Sequence, residues 1–168
     1  MNDEELWDFD ENKNYITVKG YKVLNYKDAE AAANLLIQIR KKINRLFFDL
    51  RLDPNPKVRL LLNTPYKLQE MQKIKDQNEL KFEGLNKPKE VFMSKEPKIG
   101  VDGSLRAKYR IIFLTLRDTN GKLKKIEDLY PLIAHELTHT AMNHVRWRDD
   151  DHSKEFIIFY KSLLRLLL

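Results

Sequence analysis

Cysteine is absent from this 168-residue chain, which excludes disulfides, thiolate metal ligands and a thiol nucleophile. No apolar run approaches the roughly 20 residues of a membrane-spanning helix, so neither a span nor a membrane partner is expected. The first eleven residues are acidic and no apolar stretch follows them, so they do not read as a secretory leader. Together with the missing cysteine, this points to an intracellular protein, cytoplasmic or nuclear. Low-complexity segments and internal repeats are also lacking. Hydrophobic residues make up 42% and charged residues 33%, a balance typical of one folded domain rather than a disordered chain. The length is enough for a sizeable core but short for two domains.

Charge is unevenly spread. The formal net charge is +6, yet residues 1–11 hold six acids (Asp3, Glu4, Glu5, Asp8, Asp10 and Glu11) and no Lys or Arg. We read residues 1–14 as an acidic, flexible arm and residues 15–168 as the folded domain. Bases cluster at Lys98, Arg106, Lys108, Arg110, Arg117, Lys122, Lys124 and Lys125, opposed in that stretch only by Asp102 and Asp118. Such an excess suits a polyanion-binding face as well as an ordinary solvated one. Lys98, Arg106, Lys108, Arg110, Lys122, Lys124 and Lys125 are the candidate nucleic-acid contacts.

Periodicity organises the rest. Residues 28–50 repeat apolar side chains at helical spacing, with Asp28 as the expected N-cap and Pro54 and Pro56 ending the region. Residues 15–26 alternate loosely around Gly20, as one or two short strands would. Thr64-Pro65 suggests a cap and first-turn proline of a shorter helix reaching about residue 74. Residues 91–93 form a candidate strand, and residues 95–108 a long loop. The run 109–117 (YRIIFLTLR) is the best strand pattern in the chain, apolar enough to be covered on both faces. Asn120-Gly121 marks a turn. A helix over 128–143 is expected next, with Asp128 as N-cap and Pro131 near its start, and a last helix runs from 153 to the end.

Histidine is scarce, and its distribution is informative. Two of the four histidines stand in His135-Glu136-Leu137-Thr138-His139. Four residues apart on a helix, they project from one face with Cβ atoms roughly 6 Å apart, so both rings can reach one metal ion. Glu136 is placed to act as general base on a water at that ion. A satisfied core histidine is the ordinary reading for one such residue, but a poor one for this pair. Zinc is therefore the expected cofactor, with Glu136 catalytic and His135 and His139 as ligands.

A catalytic zinc site commonly takes a third protein ligand. His144 follows His139 by five residues, and on a continuing helix it is rotated about 140° away. His152, after a polar loop and at the head of the last helix, is the better candidate, with Phe156 anchoring that helix in the core. Asp149, Asp150 and Asp151 rank next, then Glu155, then His144. Tyr130, Tyr160 and His144 are candidates for stabilising an oxyanion, although core packing is the simpler role for the tyrosines.

The segment from Ile133 to Phe156, with HELTH, a spacer and then His-x-x-x-Phe, resembles the WLM metallopeptidases and their SprT-like relatives. Upstream, Gly84-Leu85-Asn86-Lys87 before residues 91–93 resembles that family's glycine-asparagine stretch leading into a strand. Residues 112–117 (IFLTLR) are similar to its apolar strand. The resemblance implies a compact zincin-like α+β domain in which a small twisted sheet packs on the HExxH helix, between a long N-terminal helix and a C-terminal one. It implies a zinc-dependent endopeptidase with His135, His139 and His152 as ligands and Glu136 as base. Its substrates would be proteins or peptides, including proteins bound or crosslinked to DNA, with single-stranded or damaged DNA as a partner. In such folds a sheet edge beside the metal takes up the substrate backbone, and 109–117 is the candidate edge. A monomer is expected. The alternatives are a DNA-binding protein with a structural zinc, and a zinc protease with no nucleic-acid role.

Overall fold

The structure, a computed structural model, describes residues 14–51, 62–72, 74–75, 81–94, 105–145 and 154–168. The acidic segment before Asn14 lies outside these residues. The chain enters through a hairpin of β1 (Tyr15–Val18) and β2 (Tyr21–Leu24). Its turn residues Lys19 and Gly20 both have positive φ, 52° and 83°, the pairing a two-residue hairpin of the right twist requires. The long helix α1 (Ala29–Leu50) follows, where its periodicity places it. Its buried row of Ala32, Leu36, Ile39, Ile43 and Leu46 faces the core. Asp28 stands at the N-cap but makes no capping bond. Its Oδ2 instead accepts a hydrogen bond from Arg117 Nη1 at 2.8 Å.

Three strands form the main sheet. β3 (Tyr66–Glu70) replaces the short helix expected over 64–74. The helix-favouring string Lys-Leu-Gln-Glu-Met is overridden by a parallel pairing in which Leu68 lies opposite Ile112. That register buries Leu68 and encloses Glu70 completely. Two short ribbon strands come next, β4 (Ile74–Lys75) and β5 (Lys81–Phe82), paired with each other. β6 (Gly84–Lys89) lies antiparallel to β9 (Tyr109–Leu114), and a second ribbon pairs β7 (Phe92–Met93) with β8 (Leu105–Arg106). The order β3-β9-β6 makes β9 the central strand. Its apolarity on both faces follows from that position, and it cannot serve as the substrate-binding edge. Among the described residues the edge nearest the histidines is β6.

Two more helices follow among the described residues of this α+β fold: α2 (Ile126–Ala141) and α3 (Lys154–Leu167). α2 starts two residues before the expected cap. Lys125 occupies the N-cap without a side-chain bond, while Glu127 and Asp128 fall in the first turn, where carboxylates favour the positive end of the helix dipole. Pro131 consequently sits inside the helix. Leu129, Ile133 and Leu137 of α2 pack with Ile112 and Leu114 of β9, the buried row of α1, and Leu163 and Leu167 of α3 in one core. Burying each such Leu or Ile side chain contributes about 1.5–3 kcal/mol. This core fixes the rotation of α2, and so determines which way its histidines face. No helix among the described residues is long and apolar enough to cross a membrane.

Candidate metal centre

α2 brings His135, Glu136 and His139 together, with one ligand atom from each lying within 4.8 Å of the others. The two histidine Nε2 atoms face each other at 3.3 Å. Two nitrogens bound to a tetrahedral zinc at about 2.0–2.1 Å stand about 3.3–3.4 Å apart, so the observed spacing fits that ion. The donor chemistry fits as well, since neutral imidazole is a common zinc ligand. His135 is 36% exposed at its side chain and Glu136 only 3%. Glu136 Oε1 lies 3.9 Å from His135 Nε2. The pair is thus open to solvent on one side and backed by a buried carboxylate on the other.

α3 closes the histidines from a second direction. Phe156, buried in its first turn as expected, sets its ring 5.2 Å from that of His135 and 4.8 Å from that of His139. Tyr160, one turn later, meets His135 edge-on at 6.3 Å, near enough to the open side to keep its candidacy as an oxyanion donor. Tyr130 instead packs in the core under Lys42. His152, Asp149, Asp150 and Asp151 lie outside the described residues. Glu155 is exposed on α3.

The other wall is β6, and its alternation explains a motif the sequence showed without its use. Gly84, Asn86 and Pro88 share one face of the strand. A Cβ at Gly84 would meet Leu132 Cδ1 at 2.8 Å, the Phe113 carbonyl oxygen at 3.0 Å and Glu136 Cδ at 3.2 Å. Glycine here permits the close approach of strand and helix. Two residues on, Asn86 Nδ2 donates to the Glu136 carbonyl at 2.6 Å and to Thr140 Oγ1 at 2.7 Å. Gly84 thus lets α2 approach and Asn86 fastens it, directly beneath Glu136. Asn86 was missed as a site residue; the signal available was the Gly-x-Asn spacing, which puts both side chains on one strand face. Gly84→Val is expected to cost about 1–3 kcal/mol by overpacking and to displace Glu136. The thermal midpoint would fall; a variant with an unchanged midpoint would refute the close approach.

Arg110 also corrects the sequence reading. It is 2% exposed, so it is no nucleic-acid contact. The strand's alternation turns it toward α2 beside Ile112 and Leu114. Its Nη1 donates to Asn86 Oδ1 at 3.1 Å and to the His144 carbonyl at 3.0 Å. Burial pulls its guanidinium down to about 10, still cationic at neutral pH and suited to the negative end of α2. Arg106 and Arg117 are buried as well, which removes both from a polyanion-binding face. Lys98 lies outside the described residues. Lys108, Lys122 and Lys125 are exposed and Lys124 is half-buried, with Lys108 paired to Glu90 at 3.3 Å.

His144 is not where a continuing helix would put it. The helix does not continue to it. Asn143 takes φ 56°, and α2 ends in a Schellman turn with Asn143 N–H donating to the Thr140 carbonyl and His144 N–H to the His139 carbonyl, both at 3.0 Å. The reversal lays His144 beside His139, with their Nδ1 atoms 2.8 Å apart. The result is a paired-histidine site with a buried glutamate, set on a helix between an edge strand and a C-terminal helix. No family model, curated protein or solved structure matches this chain.

Proposed function

We propose that the chain is a zinc-dependent endopeptidase. The observation that carries this reading is the 3.3 Å facing of His135 and His139 Nε2 with the Glu136 carboxylate beside them. His135 and His139 would hold the ion. His152 is proposed as third ligand, supported by Phe156, four residues further on, packing against both histidine rings. A bound zinc supplies Lewis acidity and brings the pKa of a coordinated water toward neutrality. Glu136 accepts the proton of the attacking water and returns it to the leaving amine. Its burial keeps the carboxylate out of bulk solvent, and the Asn86 bonds hold the helix backbone at that residue. The substrate chain would lie along β6, the strand whose Gly84 touches Glu136, as an added strand.

DNA-bound proteins remain the proposed substrate class by resemblance. Among the described residues the surface supporting it is reduced to the lysines at 108, 122, 124 and 125, because Arg106, Arg110 and Arg117 are buried. The test is a single preparation: zinc per chain, then cleavage of a DNA-binding protein with and without single-stranded DNA, before and after chelation. One zinc per chain, cleavage abolished by chelation and restored by zinc, and weakened zinc binding in His152→Ala are expected. Cleavage that survives removal of the metal would refute the proposal. Indifference to DNA would leave a zinc protease with no nucleic-acid role.

A further inference from the structure

We infer that His144 is a positioning residue for the metal site: it accepts a hydrogen bond from His139 Nδ1 and so holds that imidazole with Nε2 toward the ion. The inference rests on the zinc reading of His135 and His139. A histidine that binds through Nε2 carries its proton on Nδ1, and that proton needs an acceptor. His144 Nδ1 lies 2.8 Å from His139 Nδ1. The two nitrogens of one imidazole point to opposite sides of the ring, so His144 stands away from the side His139 offers to His135. It is therefore not a ligand alongside them, and the cluster of potential ligand atoms at His135, Glu136 and His139 does not include it.

The placement of His144 is fixed at several points. Its N–H donates to the carbonyl of His139, so the supporting residue is tied to the backbone of the residue it supports. Its own carbonyl accepts from the buried Arg110, which also binds Asn86. Its ring lies parallel to that of Phe156, 8° between planes at 6.0 Å. The preceding Asn143 reaches across to the Leu105 carbonyl at 2.8 Å. A helix end needs only the Schellman bonds; the Arg110 and Asn143 bonds add a hold on the backbone here, and the stack on Phe156 sets the plane of the ring. The arrangement also assigns tautomers. His139 carries its proton on Nδ1, which leaves the His144 proton on Nε2. Through Asn86 and Arg110, the strand that fastens α2 beneath Glu136 also secures the residue that aims His139.

The test is zinc affinity by chelator competition on wild type, His144→Leu and His144→Gln, with the thermal midpoint of each metal-free protein alongside. His144→Leu is expected to weaken zinc binding about 10–100-fold, at an unchanged one zinc per chain. His144→Gln, which restores an acceptor, is expected to recover most of it, while the metal-free midpoints stay together. Equal affinity in wild type and His144→Leu, or no rescue by Gln, would overturn the inference alone. A wild type that takes up no zinc would overturn it together with the peptidase reading. Long-range proton–nitrogen spectra of the zinc-loaded wild type supply a readout independent of any variant. Protons at His139 Nδ1 and His144 Nε2 are expected, and the opposite assignment at His144 would overturn the inference.

Discussion

Glu136→Gln is expected to lower peptide cleavage by about 10²–10⁴-fold, the range lost when a positioned general base is removed, while zinc stays bound with wild-type stoichiometry. The loss corresponds to about 3–5 kcal/mol of barrier. Glutamine matches glutamate in shape, so it fits the space under Gly84, where the Glu136 Cδ already stands 3.2 Å from a Cβ position. The Asn86 bonds go to the backbone carbonyl of Glu136 and to Thr140, and survive the change. The two histidines keep their facing nitrogens. Only the ability to take and return a proton is lost. Placing an uncharged amide in this buried site removes the cost of a buried carboxylate, so the thermal midpoint is expected to hold or rise. The measurements are steady-state cleavage, zinc content and thermal unfolding of both proteins side by side. Undiminished cleavage in the glutamine variant would sink the general-base assignment. Cleavage lost together with zinc would instead make Glu136 a part of the metal's own hold.

The three helices named above were legible because each repeats apolar residues at helical spacing over a long window, and one slip in the pattern does not erase it. α1 begins one residue after the expected cap and ends at the residue expected. β3 was not legible. Its five residues contain good helix formers, and the partner that makes them a strand lies more than forty positions away, as Leu68 opposite Ile112 shows. The double-sided apolarity of 109–117 did signal a covered strand, but a substrate-binding edge needs a strand at the border of the sheet, and the sheet order puts β3 and β6 there, with β9 between them. The site was legible in its centre and not in its supports. HELTH fixes the positions of His135, Glu136 and His139 by helix geometry alone. His144 depends on where the helix stops, and that is decided by one left-handed residue, Asn143. Arg110 read as a surface charge because charge can be counted from sequence, whereas the face of a strand on which it falls requires the register.

Arg117→Met is expected to destabilise the fold by about 3–5 kcal/mol, the cost of leaving a buried charge without its partner. Arg117 Nε donates to Glu70 Oε2 at 2.7 Å, and its Nη1 to Asp28 Oδ2 at 2.8 Å. The guanidinium also lies over the Tyr26 ring at 4.7 Å. Burial alone would pull it down, and the bonds to Glu70 and Asp28 reverse this and hold it above its ordinary value. Glu70 is fully enclosed, and its other oxygen accepts the Leu24 N–H at 2.8 Å. These two ion pairs and the Leu24 bond thus tie the end of β3 to the hairpin, to the head of α1 and to the chain leaving β9. Methionine fills similar space but leaves the Glu70 carboxylate in the core with a single donor. Against a total stability of about 5–15 kcal/mol, the loss is a large fraction of the fold. Urea unfolding should show an earlier midpoint at an unchanged slope. Glu70→Gln on the Arg117→Met background is expected to recover part of it, because the amide still accepts from Leu24 and no charge is left buried. A double-mutant cycle measures that coupling directly. If Arg117→Met alone cost under about 1 kcal/mol, as an exposed pair would, the bridge would not be holding these elements together.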